Sequence, residues 1–199
     1  MYTRSVCLPL KEEGSFPRLN DVVRRVEKID FEYEGSQVRV RAVRDLPEIR
    51  AGDTVLGPLR EGQELGIAYW VAVELVRGGH AKFHEEDVMT LTLLNKVQWT
   101  ETLQSGLRPS SLPEYFYPKL RRYMRDLQER ATKDAAAGHE HRQAEKITTD
   151  IVNCRVRKLI NLAASNSSAG SILRDLSREE RALYEQLHAL IMEWKANVV

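Results

Sequence analysis

From about residue 87 onward, apolar side chains recur at helical spacing in four successive blocks, and this run most constrains the fold. Asp87 to Leu103 carries Val88, Leu91, Leu94, Val97 and Trp99, and Gly106 and Pro109 close it. The next block runs to about Thr132 with Tyr115, Leu120, Tyr123, Met124 and Leu127 inward. Its predicted start is a capping box of Ser111 and Glu114, with Leu112 and Pro113 at the first helical positions. A third block, about Gln143 to Ala164, holds Ile147, Ile151, Cys154, Val156, Leu159, Ile160 and Leu162. Ser177 and Glu180 form a second capping box ahead of Leu183, Leu187, Leu190, Ile191 and Trp194. Between these blocks, Ala135 to His141 reads as a loop and Ser165 to Ser171 as a linker. Neither carries an apolar stripe, so Lys133 to His141 and Ser165 to Ser171 are the predicted flexible sites.

The first third of the chain has a different period. Val22, Val23 and Val26 suit either a short helix or a strand. Ile29, Phe31 and Tyr33 alternate with Asp30 and Glu32, which predicts a half-buried strand. After the turn signal Glu34-Gly35-Ser36, Val38, Val40 and Ala42 alternate with Gln37, Arg39 and Arg41, which predicts its hairpin partner. A short strand follows at Thr54 to Leu56, between Gly52-Asp53 and Gly57-Pro58. Leu65 to Val76 is apolar around most of a helix circumference and stops at Gly78-Gly79, so it reads as a buried hinge helix. The expected fold class is α+β. A small N-terminal β-rich domain, residues 1–64, precedes a mostly helical bundle, residues 65–199.

Composition limits the function classes. The chain has 199 residues, 42% of them apolar and 30% charged, with a formal net charge of +1. That supports a packed core and gives no global basic field to attract nucleic acid or an acidic membrane. The two cysteines, Cys7 and Cys154, are far apart and lack metal-spaced partners, which fits a reducing compartment. Val6 to Leu10 is too short for a signal-peptide core, so the expected location is intracellular and non-membrane.

Little in the sequence resembles catalytic machinery. Gly57, Gly62 and Gly66 lack the lysine and the strand–loop–helix setting of a phosphate loop. His80 and His84 have the spacing of two ligands on one helix face, but Gly78-Gly79 disfavours a helix there and no third ligand stands near. His139 and His141 fall in the predicted loop. Glu85, Glu86 and Asp87 read as the acidic start of a helix. No catalytic residue, metal or cofactor is expected, and the chain is not expected to be an enzyme. Basic residues group as Arg39, Arg41, Arg44 and Arg50, as Lys119, Arg121, Arg122 and Arg125, and as Arg155, Arg157 and Lys158. The first group makes Arg39, Arg41 and Arg44 candidate nucleic-acid contacts, and a stand-alone nucleic-acid-binding module is the alternative reading. The dense aromatic run Tyr115, Phe116 and Tyr117, together with Trp99 and Trp194, suits core packing or a partner helix.

Several stretches resemble a known family in a consistent order. Gly57-Pro58-Leu59, Gly62 through Leu65 and Ala68-Tyr69-Trp70-Val71-Ala72 are similar to the end of the small B domain of GINS subunits. Pro113 through Leu120 resembles that family's tyrosine-rich helix start. Asp150 through Leu159 resembles its basic helix, and Leu176 through Tyr184 the opening of its last helix. The resemblance covers about two-thirds of the chain, from the middle of the β-domain onward. It implies a non-catalytic scaffold of the branch with the β-domain first, of archaeal type. The implied partner is a GINS subunit of opposite domain order in a two-plus-two heterotetramer. That assembly would bridge to the MCM helicase and a RecJ-like protein in DNA replication, in the cytoplasm at the nucleoid or, in a eukaryote, in the nucleus. The candidate subunit interface comprises Tyr115, Phe116, Tyr117, Arg155, Lys158, Leu159, Tyr184 and Trp194, with Arg155, Arg157 and Lys158 matched to acidic residues on a partner helix.

Overall fold

The first element is a helix where alternation predicts a strand. The computed structural model describes residues 19–51, 54–103, 108–165 and 169–198. In it Leu19–Glu34 forms helix α1. Ile29 and Tyr33 lie four apart on its buried face, with Val22 and Val26 half-buried one and two turns earlier. Phe31 is 80% exposed. The period-2 pattern spans only three apolar residues, whereas Val22, Val26, Ile29 and Tyr33 keep a 3.6-residue period over three turns, and the longer pattern prevails.

The sheet therefore draws its strands from elsewhere. Strand β1, Gln37–Ala42, alternates as expected, with Val38, Val40 and Ala42 inward and Arg39 and Arg41 outward. It is the centre of an antiparallel sheet between β4, Glu64–Ala68, and β5, Ala81–Phe83. Val38 faces Ile67, and Val40 faces Leu65 on one side and Phe83 on the other. Strands β2, Ile49–Ala51, and β3, Thr54–Leu56, form a separate ribbon. The expected helix over Leu65 to Val76 is thus divided into β4 and helix α2, Tyr69–Arg77. The expected boundary between residues 64 and 65 falls inside β4, and the sheet unit continues to Phe83.

The helical region begins with a single 3-10 turn at Glu85–Asp87 rather than a helix. The Thr90 hydroxyl then accepts the Leu93 amide at 3.1 Å, and α3 runs Leu91–Leu103. Helix α4, Phe116–Ala131, follows Tyr115, whose φ of 53° lies in the left-handed region. Ser111 and Glu114 stand exposed ahead of that bend, so the first expected capping box does not open the helix. Helix α5, Ala135–Ala164, has 30 residues and includes the stretch expected as a loop. Asp134 caps it by accepting the Ala136 amide at 2.9 Å. Ala137 and Ala144 are buried, so alanine rather than a large apolar residue marks the contact face there. Beyond residues 166–168, which lie outside the described residues, Ala169–Arg174 is a 3-10 segment and α6 spans Arg178–Val198. The second capping box does form: the Ser177 amide donates to Glu180 at 3.0 Å, and the Glu180 amide donates to the Ser177 hydroxyl at 3.2 Å.

Contacts give the helix directions. Gln98 donates to Asp150 while Glu101 meets Arg155 and Lys158, so α3 and α5 run the same way. Arg155 meets Glu180 and the Ala164 carbonyl accepts from Lys195, so α6 runs with them too. Helix α1 is antiparallel to α6, with Arg25 on Glu185 and Glu32 on Arg178. The sheet unit is docked on the bundle through aromatic rings and charges. Tyr33 sits 4.5 Å from Tyr69 and 5.3 Å from Tyr115 between ring centroids. Arg121 reaches Asp30 at 2.7 Å, and Arg122 pairs with Glu34.

Candidate functional site

The helices α3, α4, α5 and α6 meet around a buried cluster of charged side chains. Arg155 is 1% exposed, and Glu101, Glu180 and Lys158 are buried beside it. The Arg155 guanidinium forks onto Glu180, with Nη2 donating to Oε2 at 2.7 Å and Nε donating to Oε1. Its Nη1 donates to Glu101 Oε2 at 2.7 Å and to the Ser110 carbonyl at 2.9 Å. Lys158 donates to Glu101 Oε1 at 2.6 Å and to the Glu101 carbonyl at 3.1 Å. The Ser110 amide and hydroxyl both donate to Glu101. The Tyr117 hydroxyl donates to Glu180 at 2.7 Å. Two cations and two carboxylates balance, and the planar guanidinium supplies the fork that a lysine could not.

The same contacts fix the ionisation. Burial raises the Glu101 carboxyl, but hydrogen bonds from Lys158 and Ser110 and the Arg155 charge outweigh it and hold the group below the usual glutamate range. Burial works against the Arg155 charge, yet Glu180 and Glu101 raise its pKa further. Burial and the neighbouring Glu180 push the Tyr117 phenol up, so it remains a donor. Every member of the cluster is paired to another. The cluster is structural: it fixes which helix faces meet.

Most of the expected interface residues have partners inside this chain. Arg155 and Lys158 pair with Glu101 and Glu180. Leu159 and Tyr184 are buried in the core between α5 and α6, and Phe116 in the core between α3, α4 and α5. Tyr117 is spent on Glu180, and Tyr115 packs against the sheet unit. Trp194 alone of the expected set faces outward, at 64% exposure. The sequence reading missed Glu101, Ser110 and Glu180 as partners. A usable signal existed for Glu101, which continues the stripe of Leu94 and Val97 as a carboxylate at an apolar position.

The candidate nucleic-acid residues are engaged as well. Arg39 donates to Asp87 at 3.0 Å and Glu86 at 2.8 Å, Arg41 to Glu64 at 2.6 Å, and Arg44 faces His80 Nδ1. These arginines on and just after β1 are thus largely neutralised by neighbouring groups of the same chain. The larger cleft, about 500 Å³, lies between α2 and α4 and contains Trp70, Met89, Lys119 and Arg125. Its Arg122 and Arg77 pair with Glu34 and Glu74. Among the described residues no group of three or more His, Cys, Asp or Glu could hold a metal ion, and no helix is long and apolar enough to cross a membrane.

Exposed large apolar residues line one face of the last helix instead. Leu190, Trp194 and Val198 recur every four residues on the second half of α6, so they form one outward stripe. Trp99 and Leu103 are exposed as well, but Glu101 and Glu180 both meet Arg155, so the end of α3 is level with the first turn of α6, about 20 Å along the helix axis from Trp194.

The chain thus has a docked sheet unit, a bundle locked by internal charge and an exposed apolar stripe on its last helix. The family model of the GINS complex protein helical bundle domain matches residues 88–199, which takes in α3 through α6. The chain belongs to the GINS family and is a subunit of that DNA-replication complex. Among curated proteins the chain has no match.

Proposed function

We propose that this chain is a scaffold subunit that joins other GINS subunits through the apolar stripe of Leu190, Trp194 and Val198 on α6. The observation that carries the reading is the exposure of these three residues at four-residue spacing on one helix face. Contiguous apolar surface of this kind is typical of an association site. Tryptophans at the centre of such a patch usually dominate its binding energy. The partner in this reading is a GINS subunit of opposite domain order, in a two-plus-two complex of archaeal type. That complex would bridge to the MCM helicase and a RecJ-like protein at the replication fork.

The test is Leu190→Glu with Trp194→Glu, measured by light scattering after co-expression with such a subunit. Both positions are exposed, so thermal stability of the chain alone should change by no more than about 0.5 kcal/mol per site. Loss of a hot-spot tryptophan costs at least about 2 kcal/mol, so the complex should weaken roughly thirtyfold or more. An intact two-plus-two complex from the double variant would refute this placement of the interface.

A further inference from the structure

The seam between α1 and α6 carries an imbalance of charge that the fold itself does not resolve. Its cleft is lined by Arg25, Lys28, Arg178 and Arg181, with Glu185, Ile29 and Ala182. The cations come as two pairs three residues apart, one pair on each of two antiparallel helices, so like charges face each other. Each end of the seam is closed by an ion pair, Arg25 with Glu185 and Arg178 with Glu32. In the middle, Lys28 and Arg181 have no carboxylate within ion-pair distance among the described residues, and Arg181 donates only to the Leu173 carbonyl at 2.8 Å. Four cations against Glu185 and Glu32 leave a local charge of +2 in a chain whose formal net charge is +1.

We propose that this cleft is a phosphate site that holds the backbone of a nucleic-acid strand. At about 290 Å³, with only Ile29 and Ala182 apolar in its lining, it lacks the size and the apolar walls of a small-molecule pocket. It offers no aromatic platform for stacking a base and no deep apolar anchor for a protein partner. It does offer unneutralised cations facing solvent, which is what counterion-releasing contact with phosphates requires. Recognition here is independent of base sequence. The site lies on the first half of α6, away from the apolar stripe proposed as the subunit interface.

The experiment is fluorescence anisotropy of a labelled oligothymidine with the full chain alone, over a salt series, beside the variants Lys28→Gln and Lys28→Gln/Arg181→Gln. Each lost phosphate contact lowers the slope of log K against log salt by about 0.7 on a single strand. The double variant should therefore lose about 1.4 and the single about 0.7. Lys28 makes no ion pair or hydrogen bond among the described residues beyond a longer-range attraction to Glu32, so the single variant reads the site even if the second change perturbs the Leu173 contact. The control Arg39→Gln/Arg41→Gln on β1, where both arginines are already ion-paired, should leave the slope unchanged. Unchanged slopes in both seam variants would overturn the site, as would loss confined to the β1 control. Binding to poly-glutamate or to neither probe, without binding to the oligonucleotide, would also overturn it. Co-expression and light scattering of the same variants should still give the GINS complex, so failure of this site and failure of the assembly reading are separate results.

Discussion

Replacing Arg155 by Met removes the centre of the buried cluster while nearly keeping its volume. Glu101 would retain Lys158 at 2.6 Å. Glu180 would retain the Tyr117 hydroxyl and the Ser177 amide but lose Arg155, its one ion-pair partner among the described residues. Breaking a buried pair from one side typically costs about 3–5 kcal/mol. At about 2–4 °C per kcal/mol for a chain of this size, the midpoint should fall by roughly 6–20 °C. Adding Glu180→Gln should recover part of the loss, because it removes the stranded charge. The assay is thermal and urea unfolding of the chain alone. A loss under about 1 kcal/mol, or one seen only on mixing with a partner subunit, would return Arg155 to an intersubunit role.

Two further outcomes follow from the same cluster. The folded-state pKa of Glu101 is depressed, so it stabilises the fold above the unfolded glutamate value and that contribution is lost as pH falls through the folded value; the gap in urea midpoint between the parent and Glu101→Gln should therefore narrow below about pH 4, and a gap independent of pH would count against the ionised pair. Ser177→Ala removes the hydroxyl that accepts the Glu180 amide and should cost about 1 kcal/mol, read as a midpoint roughly 2–4 °C lower; no change would mean that the cap contributes nothing beyond the cluster.

The helices were legible because their apolar stripes are long, and the final cap because a serine and a glutamate stand three apart ahead of such a stripe. What failed was local. Ile29, Phe31 and Tyr33 mimic a strand over five residues, and only the valines upstream reveal the helical period. The start of α5 was hidden because Ala137 and Ala144 do the packing, and alanine does not stand out as a core residue. Leu65 to Val76 joins a strand to a helix without a polar break, since both elements are buried on their inner sides. The internal pairing of the charged cluster was not legible for a physical reason. Arginine and lysine are rarely buried, so Arg155 and Lys158 read as residues that would meet a partner. Their positions on the stripe of Ile151, Leu159 and Leu162 pointed inward, and Glu101 on the stripe of Leu94 and Val97 pointed back.

The distribution of charge and apolar surface divides the labour of the chain. Charges that would normally face water are turned inward, where an uncompensated pairing is costly, so only one register of α3, α5 and α6 satisfies Glu101, Arg155 and Glu180 together. Apolar residues that would normally fill a core are left outside on the second half of α6, at Leu190, Trp194 and Val198. A fixed register sets where that stripe stands relative to α5. A slip of α6 by a turn, about 5.4 Å, would displace the stripe as well as break the cluster. In the assembly reading proposed above, the buried charges serve assembly without touching a partner: they hold in place the surface proposed to meet one.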